Sequence, residues 1–173
     1  MDTGDEPVDI INEMREFQFS CPKREAHARG LLHPTILAEV IDSEGNWTLV
    51  KQAHDRQDAG RYVSPVGGHI RSGESDAASL KREAYEEMGL KKFKYQHIGS
   101  AVYYREIIGR KENHLFVLFE IYTDQEPALN HESVSLRVFP QAVLKQQMKE
   151  HPELFGDAWH FVANTFYRQL FYD

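Results

Sequence analysis

The spacing of apolar positions changes repeatedly along the chain, and each change marks an element. Val8 to Asn12 reads as a short strand. Ser20 to Gly30 is polar and reads as irregular. Thr35 to Ile41 is rich in apolar and β-prone residues and ends in the turn cluster Asp42-Ser43-Glu44-Gly45-Asn46. Trp47 to Val50 then returns, which predicts a hairpin. A polar loop over 54–60 leads to a short strand over 62–70 that runs into a glycine pair. Ser75 to Met88 is the clearest helix: Ala77, Leu80, Ala84 and Met88 share one stripe, Ser75 or Asp76 can cap the start, and Gly89 supplies a left-handed stop. Strands follow over 94–107, 115–122 and 133–139, with a turn over 109–113. The end of the chain reads as two helical stretches, 142–150 and 156–172. The aromatics Trp159, Phe161, Phe166, Tyr167 and Phe171 on the last of these fit packing. A strand-rich centre with interspersed helices predicts an α/β domain around a mixed sheet.

Composition narrows the function. A length of 173 residues suits one domain and is short for two. The net charge of −7, with no Lys/Arg block, argues against a nucleic-acid polymer as partner. A small anionic substrate would need a metal ion or a local basic group. Cys21 is the single cysteine, so no disulfide forms within the chain and a reducing, cytoplasmic setting is expected. The opening Met1–Val8 is acidic and does not read as a signal peptide. No apolar run approaches a membrane span, so no membrane partner is expected.

The candidate chemistry lies on the central helix. Glu83, Glu86 and Glu87 stand at i, i+3 and i+4, on one helical face. Three crowded carboxylates repel one another, and a divalent cation removes that cost. Oxygen ligands without cysteine suit Mg²⁺, with Mn²⁺ as a substitute. Arg82 can pair with Glu86, or with Glu74 from the preceding loop. A charge run alone is commonly a solvated face. Here Gly68 and Glu74 extend it into Gly-x5-Glu-x7-Arg-Glu-U-x-Glu-Glu-x-Gly-U, with U apolar, over residues 68–90.

That pattern resembles the Nudix box and is complete, with the small Ala84 at the first U position. The resemblance implies an α/β/α sandwich with a central mixed sheet, in which a loop–helix–loop holds divalent metals against a diphosphate. Carried over by position, Glu86 and Glu87 are metal ligands, and Glu83 is a further ligand or helps activate water. Glu74 and Arg82 support them. The Gly67 carbonyl is an extra ligand, and Gly67 and Gly68 let the main chain approach metal and phosphates. One Nudix domain over 1–173 is expected, with an N-terminal strand and extension over 1–33, a core over 34–140 and C-terminal helices over 141–173.

A second layer of resemblance joins His27, His33 and His69, with Gly30, Gly60, Arg61 and Tyr62, to the subgroup related to isopentenyl-diphosphate isomerase. In that isomerase the matching histidines hold a metal together with carboxylates from a later strand, which makes Glu112 a further candidate ligand. Tyr104 matches an active-site tyrosine. The isomerase's paired cysteine and glutamate are replaced by Gly67 and His114. Both changes, with the intact box, point towards hydrolysis. Glu132 is the best match to a downstream acid used by many Nudix hydrolases, and Lys51, Arg56 and Arg61 are placed to meet phosphate.

The expected activity is hydrolysis of a diphosphate linkage in a nucleoside diphosphate derivative or a related organic diphosphate. The alternatives are an isomerase of a prenyl diphosphate and a non-catalytic nucleotide-sensing domain. Loops over 54–60 and 105–113 would read the rest of the ligand, with Tyr62, Tyr103 and Tyr104 available to stack on a base. The expected partner is a small diphosphate, and a homodimer is compatible with the chain.

Overall fold

The protein is described by a computed structural model covering residues 4–173; positions 1–3 of the acidic opening stretch lie outside the described residues. β1 (Pro7–Ile11) and β2 (Phe17–Pro22) pair antiparallel as a separate two-stranded ribbon. α1 (Lys23–Arg29) follows and stops at Gly30, whose φ of 68° is the left-handed cap that glycine adopts without strain. The stretch expected to be irregular over 20–30 is therefore ordered as a strand end and a short helix. Alternation of Phe17, Phe19 and Cys21 is the strand signal, and seven residues are too few to show a helical period.

The main sheet has seven strands. β3 (His33–Ile41), β4 (Trp47–Gln52), β5 (Tyr62–Val63), β6 (Val66–His69), β7 (Lys94–Ile107), β8 (Arg110–Tyr122) and β9 (Ser133–Phe139) contribute to it. Its path runs β5-β4-β3-β8-β7, with β6 on β3 and β9 on β4. β3 and β8 are parallel and the other pairs antiparallel, so the sheet is mixed, as expected. The single strand expected over 62–70 splits at Ser64-Pro65, because its halves pair with different partners: Tyr62 and Val63 with β4, Val66 to His69 with β3. Pro65 has no N–H to continue a ladder. The turn expected over 109–113 is tighter. Ile108 and Gly109 both take positive φ, and β8 starts at Arg110. Glu112 and His114 are thus strand residues sharing a face.

β3 is buried on both faces, which explains its near-continuous apolar run. Ile36, Ala38 and Val40 pack in a core with Leu80, Ala84 and Met88 of α2 (Asp76–Met88). Leu37 and Ile41 face the second core, where Trp47, Leu49, Phe116 and Leu118 meet the C-terminal helices. α3 (Gln141–Glu150), a 3-10 turn at Pro152–Leu154, α4 (Asp157–Phe166) and α5 (Arg168–Phe171) form that layer. The long helix expected over 156–172 breaks at Tyr167, whose φ of −128° leaves the helical region. Tyr167 and Phe171 then both pack on Trp47, at 5.0 and 5.1 Å between ring centroids. Cys21 lies in a third, small core with Val8, Ile10 and Ala26.

Candidate active site

A cavity of about 510 Å³ opens beside the sheet, where β6 meets the face of α2. Ser75 caps α2 by accepting from the Ala78 amide at 3.1 Å, and Gly89 ends it in the left-handed conformation. Between these stops the i, i+3, i+4 spacing brings Glu83, Glu86 and Glu87 to the cavity wall. Gly67 and Gly68 form the facing wall. Their smallness is used: a Cβ on Gly68 would lie 2.2 Å from Cδ of Glu83, and one on Gly67 would lie 2.9 Å from Leu37. The Gly67 amide donates to Glu87 at 2.7 Å. Glu132 also lines the cavity, bridged to Arg56 at 2.6 Å.

Arg82 organises the acids from behind. It donates to both oxygens of Glu74 at 2.9 Å, to Glu83 at 2.6 Å and to the His69 carbonyl at 3.1 Å. It also stands 3.6 Å from Glu86, so both sequence-derived partners are present. Its bonds to Glu74 hold that carboxyl below its ordinary pKa. Burial pushes Glu83 up to about 7 despite Arg82. Burial, with Glu83 close by, pushes Glu87 well above its ordinary value. Burial thus disfavours the charged form of these two acids, a cost that a cation in this all-oxygen donor set would offset. A hard divalent cation fits that description.

Beside this wall the sheet brings four histidines together. His33 and His114 are register neighbours on the parallel strands β3 and β8, and His69 sits opposite Thr35 on β6. His27 reaches them from α1. Nε2 of His27 is 3.2 Å from Nε2 of His114 and 3.2 Å from Nε2 of His69. His33 points Nδ1 at the Leu31 carbonyl, 2.8 Å away. Burial keeps His27 near 3 and His33 near 4, so the rings are neutral.

Of the other expected residues, Glu112 and Arg56 line the cavity, whereas Tyr104, Lys51 and Arg61 do not. Glu112 is outside the four-nitrogen group: Arg105 and Arg110 donate to it at 2.8 and 2.6 Å and hold its pKa down against burial. Tyr104 is more than half exposed and donates to Glu106. Strand alternation turns it away, and Tyr103 and Arg105 face the cavity instead. Lys51 lies over the Tyr62 ring, and Arg61 is a half-exposed partner of Asp157; neither lines the cavity. Tyr62 itself packs against Phe139 and Phe155. Arg56 does line the cavity. Arg105 carries no sequence signal of its own; it is held by Asp58, 3.1 Å away, whose carboxylate also accepts from the first amide of α4. Lys23 is buried, with its pKa lowered to about 8 by burial and by Arg110. No pattern around either residue distinguishes it in the sequence from a surface cation.

Comparison with known proteins bears on the family and the fold. The NUDIX domain family model matches residues 31–158. Isopentenyl-diphosphate Delta-isomerase 2 of Photorhabdus laumondii is 33% identical over 121 residues, 67% of this chain and 66% of that protein. An uncharacterized Nudix hydrolase of Streptomyces coelicolor is 33% identical over 95 residues, 51% of this chain and 50% of that protein. The matches thus span about half to two-thirds of these relatives' own length. Among solved structures, DR0079 of Deinococcus radiodurans superposes with a TM-score of 0.76 at 17% identity, covering 94% of this chain and 100% of its own. The MutT protein of Methanosarcina mazei gives 0.63 at 18% identity, covering 80% and 94%. Those identities speak for the fold alone. The match of the family model over most of the chain goes further: this chain belongs to the Nudix family.

Proposed function

We propose that this chain is a divalent-metal-dependent hydrolase of an organic diphosphate, either a nucleoside diphosphate derivative or a related compound. The observation that carries the reading is the wall of Glu83, Glu86 and Glu87 facing Gly67 and Gly68 across one cavity, with Glu132 on the same cavity. Glu83, Glu86 and Glu87 would hold Mg²⁺ or Mn²⁺, with the Gly67 carbonyl as a further candidate. A cation bound there lowers the pKa of a bound water and offsets charge building on phosphorus. The chain's own residues do the rest. Arg82 fixes Glu74 and Glu83 relative to the helix, and the Gly67 amide fixes Glu87. Glu83, which faces Gly68 on the cavity wall, would serve as the further ligand or help to activate the attacking water. Arg56 can leave Glu132 for a phosphate oxygen. Leu37, Val50, Val63, Tyr103 and Phe116 give the cavity an apolar wall for the organic group.

The test is a panel of organic diphosphates with Mg²⁺ or Mn²⁺, recording which bond breaks. The double variant Glu86→Gln/Glu87→Gln is expected to lower kcat by about 10³-fold or more while keeping the wild-type circular dichroism. Full activity in that variant would overturn the assignment. A second reading, isomerisation of a prenyl diphosphate, is favoured by the isomerase named among the relatives. Against it, Gly67 and His114 stand where the isomerase resemblance requires a cysteine and a glutamate, and Cys21 is buried in the separate third core. Isopentenyl diphosphate in the same panel separates the two: conversion to dimethylallyl diphosphate without phosphate release would establish isomerisation.

A further inference from the structure

We infer that Asn130 is a positioning residue: it fixes Glu132 at the carboxylate wall by tying the loop that carries this acid to the end of α2. This rests on the reading of that wall as a cation site. Glu132 itself is the downstream acid expected from the family pattern. The residues that hold it lie outside the box and outside the histidine group.

The last carbonyls of a helix have no partner inside it. At the end of α2, residues 125–130 supply the partners. The Gln125 side chain donates to the Gly89 carbonyl at 3.0 Å, the Ala128 N–H to the Met88 carbonyl at 2.9 Å, and Nδ2 of Asn130 to the Glu86 carbonyl at 3.1 Å. The Gln125 side chain also accepts from the Lys91 N–H at 3.3 Å. The approach is close, since a Cβ on Gly89 would lie 3.3 Å from Cβ of Ala128. The chain after β8 thus runs along the helix end on three bonds. The last of them is made at Glu86, whose side chain lines the cavity.

Asn130 then turns the chain into the site. Its Oδ1 accepts from the Glu132 N–H at 2.9 Å, a turn closed by a side chain, to which asparagine is suited. One amide group is therefore used at both ends, on the helix and on the loop. From the other side the Ala53 N–H donates to the Glu132 carbonyl at 3.0 Å. The Glu132 carboxyl group is bridged to Arg56 at 2.6 Å and hydrogen-bonded to the carboxyl group of Glu87. With the backbone of Glu132 held by Asn130 and Ala53, Arg56 can turn to a phosphate oxygen without releasing the acid. Asn130 touches no reacting atom in this scheme. It carries the position of α2 to Glu132, so that the acids of helix and loop keep one geometry.

The experiment is a double-variant cycle on the full chain, with Mn²⁺ binding followed by titration calorimetry and turnover measured at saturating Mn²⁺. Asn130→Ala is expected to weaken Mn²⁺ binding about 10-fold and, on any diphosphate that wild type cleaves, to lower kcat about 10-fold or more with KM within about twofold. In a Glu132→Gln background the same substitution should change neither Mn²⁺ binding nor kcat by more than about twofold, because the residue through which Asn130 acts is already altered. A purely structural asparagine would instead lower Tm and have equal effects in both backgrounds. If Asn130→Ala does not fold, Asn130→Asp takes its place in the cycle; it keeps the acceptor for the Glu132 N–H and loses the donor to the Glu86 carbonyl. Unchanged Mn²⁺ affinity in the folded variant, or losses that multiply in the double variant, overturns the inference. Wild-type protein that binds Mn²⁺ and cleaves no diphosphate refutes the proposed hydrolysis instead, and the Mn²⁺ cycle alone then decides the role of Asn130.

Discussion

Gly68 is the residue where backbone and chemistry meet. Its missing side chain is the space that the Glu83 carboxylate occupies. Gly68→Ala cannot be absorbed by a flexible tip, because Glu83 is itself buried and held by Arg82. The carboxylate must swing away. Diphosphate turnover is expected to fall about 10²-fold or more, with little change in circular dichroism; steady-state kinetics against wild type check this. Unchanged kcat would mean that the position of Glu83 does not matter. At this scale much of the site was legible. The three glutamates are bound by helical spacing, and Glu74 and Arg82 by the box pattern. What was not legible is which face a strand residue presents. Tyr104 and Tyr103 differ by one position, and only the sheet decides that Tyr103 turns inward. His114 stands out in the sequence only as the replacement of the isomerase's glutamate; its place beside His33 is not legible there, because reading 109–113 as a turn removes the alternation that sets it.

Elements were legible where a local signal starts and stops them. The Ser75 cap, the stripe of α2 and the Gly89 stop are all within the helix's own sequence. Ser75→Ala removes the bond to the Ala78 amide and should cost about 1 kcal/mol, a fall in Tm of roughly 2–4 °C by thermal unfolding. No change would place the start of α2 under tertiary rather than local control. Elements set by distant partners were misread. The break between β5 and β6 exists because β4 and β3 are different partners, and the break at Tyr167 exists because Trp47 draws two aromatics to one spot. α1 is too short to carry a period of its own, and its inner face is defined by the histidines and the third core that it covers.

For the whole molecule, stability should carry the mark of Glu39. This acid sits fully buried in β3, bonded by Ser64 at 2.5 Å. Burial pushes its pKa up to about 8 in the folded state, from an ordinary 4.5. The unfolded chain therefore loses this proton first. Its contribution to stability is fully present below about 4.5, declines as pH rises towards about 8, and levels off above it. Glu39→Gln should flatten that decline, as Tm measured across the same pH window would show; parallel curves for the two proteins would refute it. The layered plan was foreseeable from an apolar run buried on both sides, but the position of this acid between strand and helical layer was not. The pairing of His33 with His114 across parallel strands has one more consequence, for how such a chain can evolve. A single inserted or deleted residue in β8 ahead of His114 would put Asn113 or Leu115 in its place and break the imidazole quartet. Length changes are tolerable at the Ile108–Gly109 tip, where both strands keep their own frame, so descendants that retain the quartet should vary there and stay fixed in length from Arg110 to His114.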